Sequence, residues 1–284
     1  MDKKELQNPA LYTNRELSWL LFNKRVLSEA RDKQLLLFER LKFLSITASN
    51  LDEFFMVRIG SLVDMIHAEY TKKDIAGMSA KEQLDALMEE THKFAALQYS
   101  TYNRMLLPQL RANGLNFVEH HEQLTERQAQ YVDEYFEENV YPVLTPMAVD
   151  SSRPFPLIRN KTLNIGALVA KKGEKDTEIE FATVQVPSVL PRVVRIPAAK
   201  EGDTEVAVLL LEEIIERNIS KLFLNYNVLC AHPFRITRNA DLAIDEDEAE
   251  DLLLEIEKQI KKRTWGQAIR LEIEAAADRR LLKI

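Results

Sequence analysis

Asn50, in the run Ser49-Asn-Leu-Asp-Glu-Phe-Phe55, has the side chain best suited to reading a ligand. Its carboxamide offers one donor and one acceptor, the complement of an adenine edge or a ribose hydroxyl. With Glu53 three positions on, the same residue also spells a helix N-cap, where free N–H groups and partial positive charge would face a ligand. Capping and ligand contact are compatible roles for one side chain. The other polar groups have plainer readings. His120-His121 is the one close histidine pair, but adjacent residues do not share a helix face, and its surroundings read as a solvated loop. Asp245-Glu-Asp-Glu248 precedes a helix at 249–263 and suits the positive end of its dipole, with Lys261, Lys262 and Arg263 at the other end. Arg153 beside Pro154-Phe-Pro156, Arg235 and Arg238 could hold phosphate, though surface ion pairing explains them more simply. Trp19 and Phe22 read as core rather than a stacking platform. No GxxxxGK[ST], GxGxxG, HExxH or paired CxxC is present, so no catalytic residue and no metal ligand is assigned.

These side chains must be carried by elements that the composition already bounds. The chain has 284 residues, 46% hydrophobic and 29% charged, with seven glycines. That is a globular mix, without a glycine-rich phosphate loop. No apolar run is long enough for a transmembrane segment, the start lacks a signal-peptide pattern, and the cytoplasm is the expected location. The lone Cys230 sits among apolar neighbours and reads as a buried thiol. Net charge is −7, and residues 114–284 carry 22 basic against 30 acidic side chains. Nucleic acid is therefore not an expected partner.

No proline lies between Pro9 and Pro108, so this stretch reads as helices. Thr13-Asn-Arg-Glu16, Asn50-Leu-Asp-Glu53 and Ser79-Ala-Lys-Glu82 spell three capping boxes. The first opens a helix with Leu17, Leu20, Leu21 and Leu27 on one side, and an intermediate helix covers 35–47. The third starts a long helix toward Arg111. Beyond residue 113 the types mix. Thr125-Glu-Arg-Gln128 caps a helix ending near Asn139, and 141–145 reads as a short strand. Residues 163–169 alternate with the period of a strand. Further strands are expected at 181–186, 193–196, 206–210, 228–237 and 268–274. The fold class is α+β: an N-terminal all-α helical bundle followed by a mixed α/β domain.

Several segments, in order along nearly the whole chain, resemble the bacterial polyphosphate kinases of the phosphohistidine type. They are Asn14-Arg-Glu-Leu-Ser-Trp-Leu20, Ser49-Asn-Leu-Asp-Glu-Phe-Phe-Met-Val-Arg58, Tyr141-Pro-Val-Leu-Thr-Pro-Met-Ala-Val-Asp150 and His232-Pro-Phe-Arg-Ile-Thr-Arg238. The resemblance implies an N-terminal helical domain over 1–113, a head domain with dimer contacts over 114–274, and the start of a catalytic region at 275–284. It implies transfer of the ATP γ-phosphate to inorganic polyphosphate through a phosphohistidine, with Mg²⁺. The phosphorylated histidine and the Mg²⁺ ligands belong to catalytic domains without counterparts here, so this stretch alone is expected to be inactive. Asn50 matches the family's nucleotide-contacting asparagine and is the one ATP-binding residue implied. A homo-oligomer formed through the head is implied as well. Leu224-Asn225 and His232 depart from the family's usual Pro-Gly and Tyr. A stand-alone binding or dimerisation module acting on a separate catalytic chain is the alternative.

Overall fold

A computed structural model describes residues 5–149, 156–173, 179–241 and 266–284. The acidic run 245–248, the helix expected at 249–263 and Arg153 lie outside the described residues. In chain order the elements are α1 (Arg15–Arg31), α2 (Leu37–Phe54), α3 (Gly60–His67), α4 (Ala80–Thr101), α5 (Leu107–Ala112), β1 (Leu115–Val118), α6 (Glu126–Tyr135) and β2 (Met147–Val149). There follow β3 (Leu163–Lys171), β4 (Ile179–Gln185), β5 (Val193–Ile196), β6 (Val206–Leu210), α7 (Leu211–Arg217), α8 (Ile219–Leu222), β7 (Tyr226–Arg238) and β8 (Ala268–Ile273). Helices first and mixed sheets after them give the expected α+β class. Contacts divide the chain into two units: Met1–Leu110 with Thr237–Arg270, and Arg111–Ile236 with Leu271–Ile284.

In the helical unit α1 is capped by Asn14, not Thr13. The Asn14 Oδ1 accepts from the N–H groups of Glu16 and Leu17, and its Nδ2 donates to Asp74 at 2.7 Å and Gln83 at 2.8 Å. Asparagine wins the cap because one carboxamide both caps the helix and reaches the loop before α4. Ser79–Glu82 does form the expected capping box of α4. The box expected at Asn50 does not form: α2 runs unbroken from Leu37 to Phe54, and Asn50 lies in its last turns. No proline or glycine interrupts the chain there, and Thr47, Leu51 and Phe54 continue one buried face. A π turn over Phe55–Ile59 then joins α2 directly to α3. Leu20, Leu27, Leu51, Phe54, Leu62, Leu87 and Phe94 are buried in one cluster, and Ile269 packs against it. Leu21, expected beside them, is 55% exposed, since one residue along a helix turns a side chain by about 100°.

In the other unit, Gly114 turns the chain from α5 into β1 at φ +80°, a conformation that favours glycine. β1 pairs in parallel with β6, which pairs antiparallel with β5. A second sheet has the order β2-β4-β3-β7-β8. The short strand expected at 141–145 lies instead at Met147–Val149, because Tyr141–Val143 forms a 3₁₀ turn around Pro142. Thr125–Gln128 caps α6 as expected. β1, α7 and α8 were not legible: each is too short for a clear period. β3 is buried on both faces rather than alternating. Ile165, Ala167 and Val169 pack with Phe136, Leu209 and Ile215, whereas Leu168 packs with Phe181, Phe234 and Leu281. A Cβ at Gly166 would stand 3.2 Å from the rings of both phenylalanines.

Asn14→Ala removes a cap and two hydrogen bonds of a buried side chain. A loss of about 1–3 kcal/mol in urea unfolding is expected, while Thr13→Ala should cost less than about 0.5 kcal/mol.

Candidate functional site

Asn50 is half-buried on α2 and donates from Nδ2 to the Oδ1 of Asn23 on α1 at 3.1 Å. Asn23 is 0% exposed, and its own Nδ2 donates to the Thr47 carbonyl at 3.1 Å. The paired amides fix the Asn50 rotamer and leave its Oδ1 without a partner among the described residues. A cavity of about 330 Å³ opens beside it, lined by Trp19, Phe22, Asn50, Glu53, Phe54, Val57 and Arg58. Trp19 stacks on Phe54 with centroids 4.4 Å apart, so the core reading holds for its inner face. Phe22 is 46% exposed and is not core. It lies on the face of α1 that turns to the cavity.

The π turn after α2 aims Val57 and Arg58 into this cavity, and a later stretch of chain holds that turn. Arg270 Nη1 meets Asp52 at 3.3 Å and its guanidinium covers the Phe55 ring at 4.9 Å. The N–H of Ala240 donates to the Met56 carbonyl at 2.9 Å, and Asn239 Nδ2 donates to Asp64 at 2.8 Å. Arg58 also lines a second cavity of about 380 Å³ with Arg15, Lys72, Lys73 and Asp74. The sequence reasoning overlooked Asn23, Val57 and Arg58. Asn23 and Asn50 are the only asparagines within α1 and α2, two poor helix formers whose pairing would have been the signal. Glu53 is the single carboxylate lining the Asn50 cavity among the described residues, too few oxygens to hold Mg²⁺.

The remaining candidates lie elsewhere. Arg235 pairs with Glu272 at 2.8 Å from Nε, and Arg238 donates to the Gly266 carbonyl, so neither presents an open phosphate site. Cys230 is half-buried rather than buried, and burial pushes its thiol up. The His120-His121 pair stands against Glu213 of α7. One turn further along α7, Glu216 is pushed up to about 8, first by burial and then by Glu213, Glu274, Glu122 and Glu212.

A helical unit with an amide-and-aromatic cavity, and an α+β unit of two sheets, define a recurrent pair of domains. Residues 12–118 match the polyphosphate kinase N-terminal domain family and residues 127–284 the polyphosphate kinase middle domain family. This chain belongs to the polyphosphate kinase family. The polyphosphate kinase of Halalkalibacterium halodurans is 48% identical over 99% of this chain and 39% of its own length. That of Lactiplantibacillus plantarum is 48% identical over 93% of this chain and 36% of its own. The crystal structure of polyphosphate kinase from Porphyromonas gingivalis superposes with a TM-score of 0.70 at 27% identity, over 91% of this chain and 39% of that one. The chain thus spans less than two-fifths of the length of these relatives. Among the described residues no helix is long and apolar enough to cross a membrane.

Two outcomes are expected. Asn23→Ala strips Asn50 of its partner and should lower stability by about 1–3 kcal/mol in urea titration. Glu216 has a folded pKa above its unfolded value, so the folded state binds the extra proton and stability falls as pH rises from about 4.5 to about 8. Glu216→Gln should flatten that slope and stabilise the chain at pH 9 by on the order of 1 kcal/mol, discounted for partial exposure, as read by thermal melts across pH.

Proposed function

We propose that this chain forms the nucleotide-contacting and oligomerising part of an enzyme that transfers the γ-phosphate of ATP reversibly to inorganic polyphosphate. The transfer runs through a phosphohistidine, with Mg²⁺, and both the histidine and the metal ligands lie in catalytic domains beyond these residues. The observation that carries the reading is the Asn50 carboxamide, held by Asn23 at an aromatic-lined cavity, with its oxygen unpaired among the described residues. An amide so placed can pair with the edge of a base, and the exposed ring of Phe22 offers a face to stack on. Arg58 brings a cation that cannot lose its charge to the same cavity, where nucleotide phosphates would lie. Binding here would orient ATP, and the covalent chemistry would be supplied elsewhere. The proposed homo-oligomer would form through the α+β unit, a reading supported by the exposed apolar side chains of Val189 and Leu224. The cytoplasm, where ATP is abundant, is the proposed location.

The test uses the complete enzyme that carries this sequence. Asn50→Ala should weaken ATP binding by about 1–3 kcal/mol in calorimetric titration. The same change leaves the buried Asn23 Oδ1 without its donor, so stability should also fall by about 1–3 kcal/mol, and affinity is compared on protein shown to be folded by circular dichroism. Asn50→Asp, which brings a negative charge toward the nucleotide, should weaken binding further. If ATP affinity is unchanged in both variants, Asn50 does not touch the nucleotide.

A further inference from the structure

The turn His121–Gln123 follows β1, and α7 follows β6. Since β1 and β6 pair in parallel, the turn and the helix begin at the same end of that pair. Glu213 on α7 is only 7% exposed, yet no lysine or arginine among the described residues pairs with it. Its Oε2 accepts from the backbone N–H of His121 at 2.9 Å, and His121 Nδ1 lies 3.2 Å away. Those contacts fix the carboxylate and leave Oε1 facing His120 Nδ1 across 3.7 Å. That gap is too long for a hydrogen bond. It suits two ligands of one ion, since donors about 2.1 Å from a tetrahedral metal stand roughly 3.4 Å apart. Glu122 stands nearby: one donor atom each from His120, Glu122 and Glu213 all lie within 4.8 Å of one another, and the exposed Glu122 side chain would turn inward to complete the set.

The surroundings favour a cation. Glu216 sits within reach of the charges of Glu213, Glu274, Glu122 and Glu212. Of these, Glu212 is matched by Arg192 and Glu274 by His232. His121 faces both Glu122, at 3.5 Å from Nε2, and Glu213, at 3.2 Å from Nδ1, and no lysine or arginine among the described residues pairs with either carboxylate. The hydrogen bond that holds Glu213 Oε2 is the kind of outer contact that orients a metal-binding carboxylate.

We propose that His120 Nδ1, a Glu122 carboxylate oxygen and Glu213 Oε1 bind one divalent transition-metal ion of the Zn²⁺ class. An imidazole with two carboxylates suits Zn²⁺ or its neighbours rather than Mg²⁺. The exposed side of His120 leaves a fourth position to water. The ion would clip the turn after β1 to α7, a structural role separate from phosphoryl transfer.

The experiment titrates the chelator-treated chain with Zn²⁺ by calorimetry and follows its melting temperature. One saturable site per chain is expected, with a higher melting temperature when loaded and no displacement by millimolar Mg²⁺. His120→Ala and Glu122→Gln alter exposed side chains, so both should fold, as circular dichroism would confirm, and each should weaken Zn²⁺ binding at least tenfold. Absence of saturable binding, or unchanged affinity in both variants, would overturn the assignment.

Discussion

One buried asparagine sets the geometry of the helical unit's site. Asn23 is fully enclosed between α1 and α2, and an unpaired amide there would cost about 1–3 kcal/mol. It is satisfied only if the Thr47 carbonyl and the Asn50 amide both meet it. That requirement fixes the rotation of α2 against α1, and the same rotation brings Phe22 and Asn50 to one cavity. The apolar contacts around Leu20, Leu27 and Leu51 drive the helices together, but they tolerate small rotations that the amide pair does not.

Arg270 performs a second positioning task. By pairing with Asp52 and lying over Phe55 it holds the π turn that swings Val57 and Arg58 toward the cavity. A regular α-helical continuation would direct those side chains elsewhere, since the extra residue of a π turn shifts every following side chain around the axis. The site therefore depends on one hydrogen-bonded pair within the helices and one ion pair supplied from far along the chain.

Local signals in the sequence were legible where a single residue decides the outcome. Ser79 and Thr125 cap as their spacing implies, and β5 and β6 begin and end where their apolar runs do. The capping motif at Asn50 misled because a cap and a buried amide pair use the same residue types. What separates them is Asn23, 27 positions away, and pairing at that distance leaves no local trace. β3 misled for a related reason: its alternation marks one well-packed face, while Gly166 lets two phenylalanine rings cover the other. Asn50 entered as a candidate through its side-chain chemistry and resemblance to a family, and its environment came from the fold.

The helical unit is completed by residues that are made late. Asp52 and Arg270 are 218 positions apart, and most of the α+β unit, Arg111–Ile236, is synthesised between them. At about 5–20 residues per second, a ribosome needs on the order of ten seconds to travel from the end of α5 to Arg270. For that interval the nascent helices carry Asp52 without its arginine and Phe55 without its cover. The helices are thus made well before the contact that completes them.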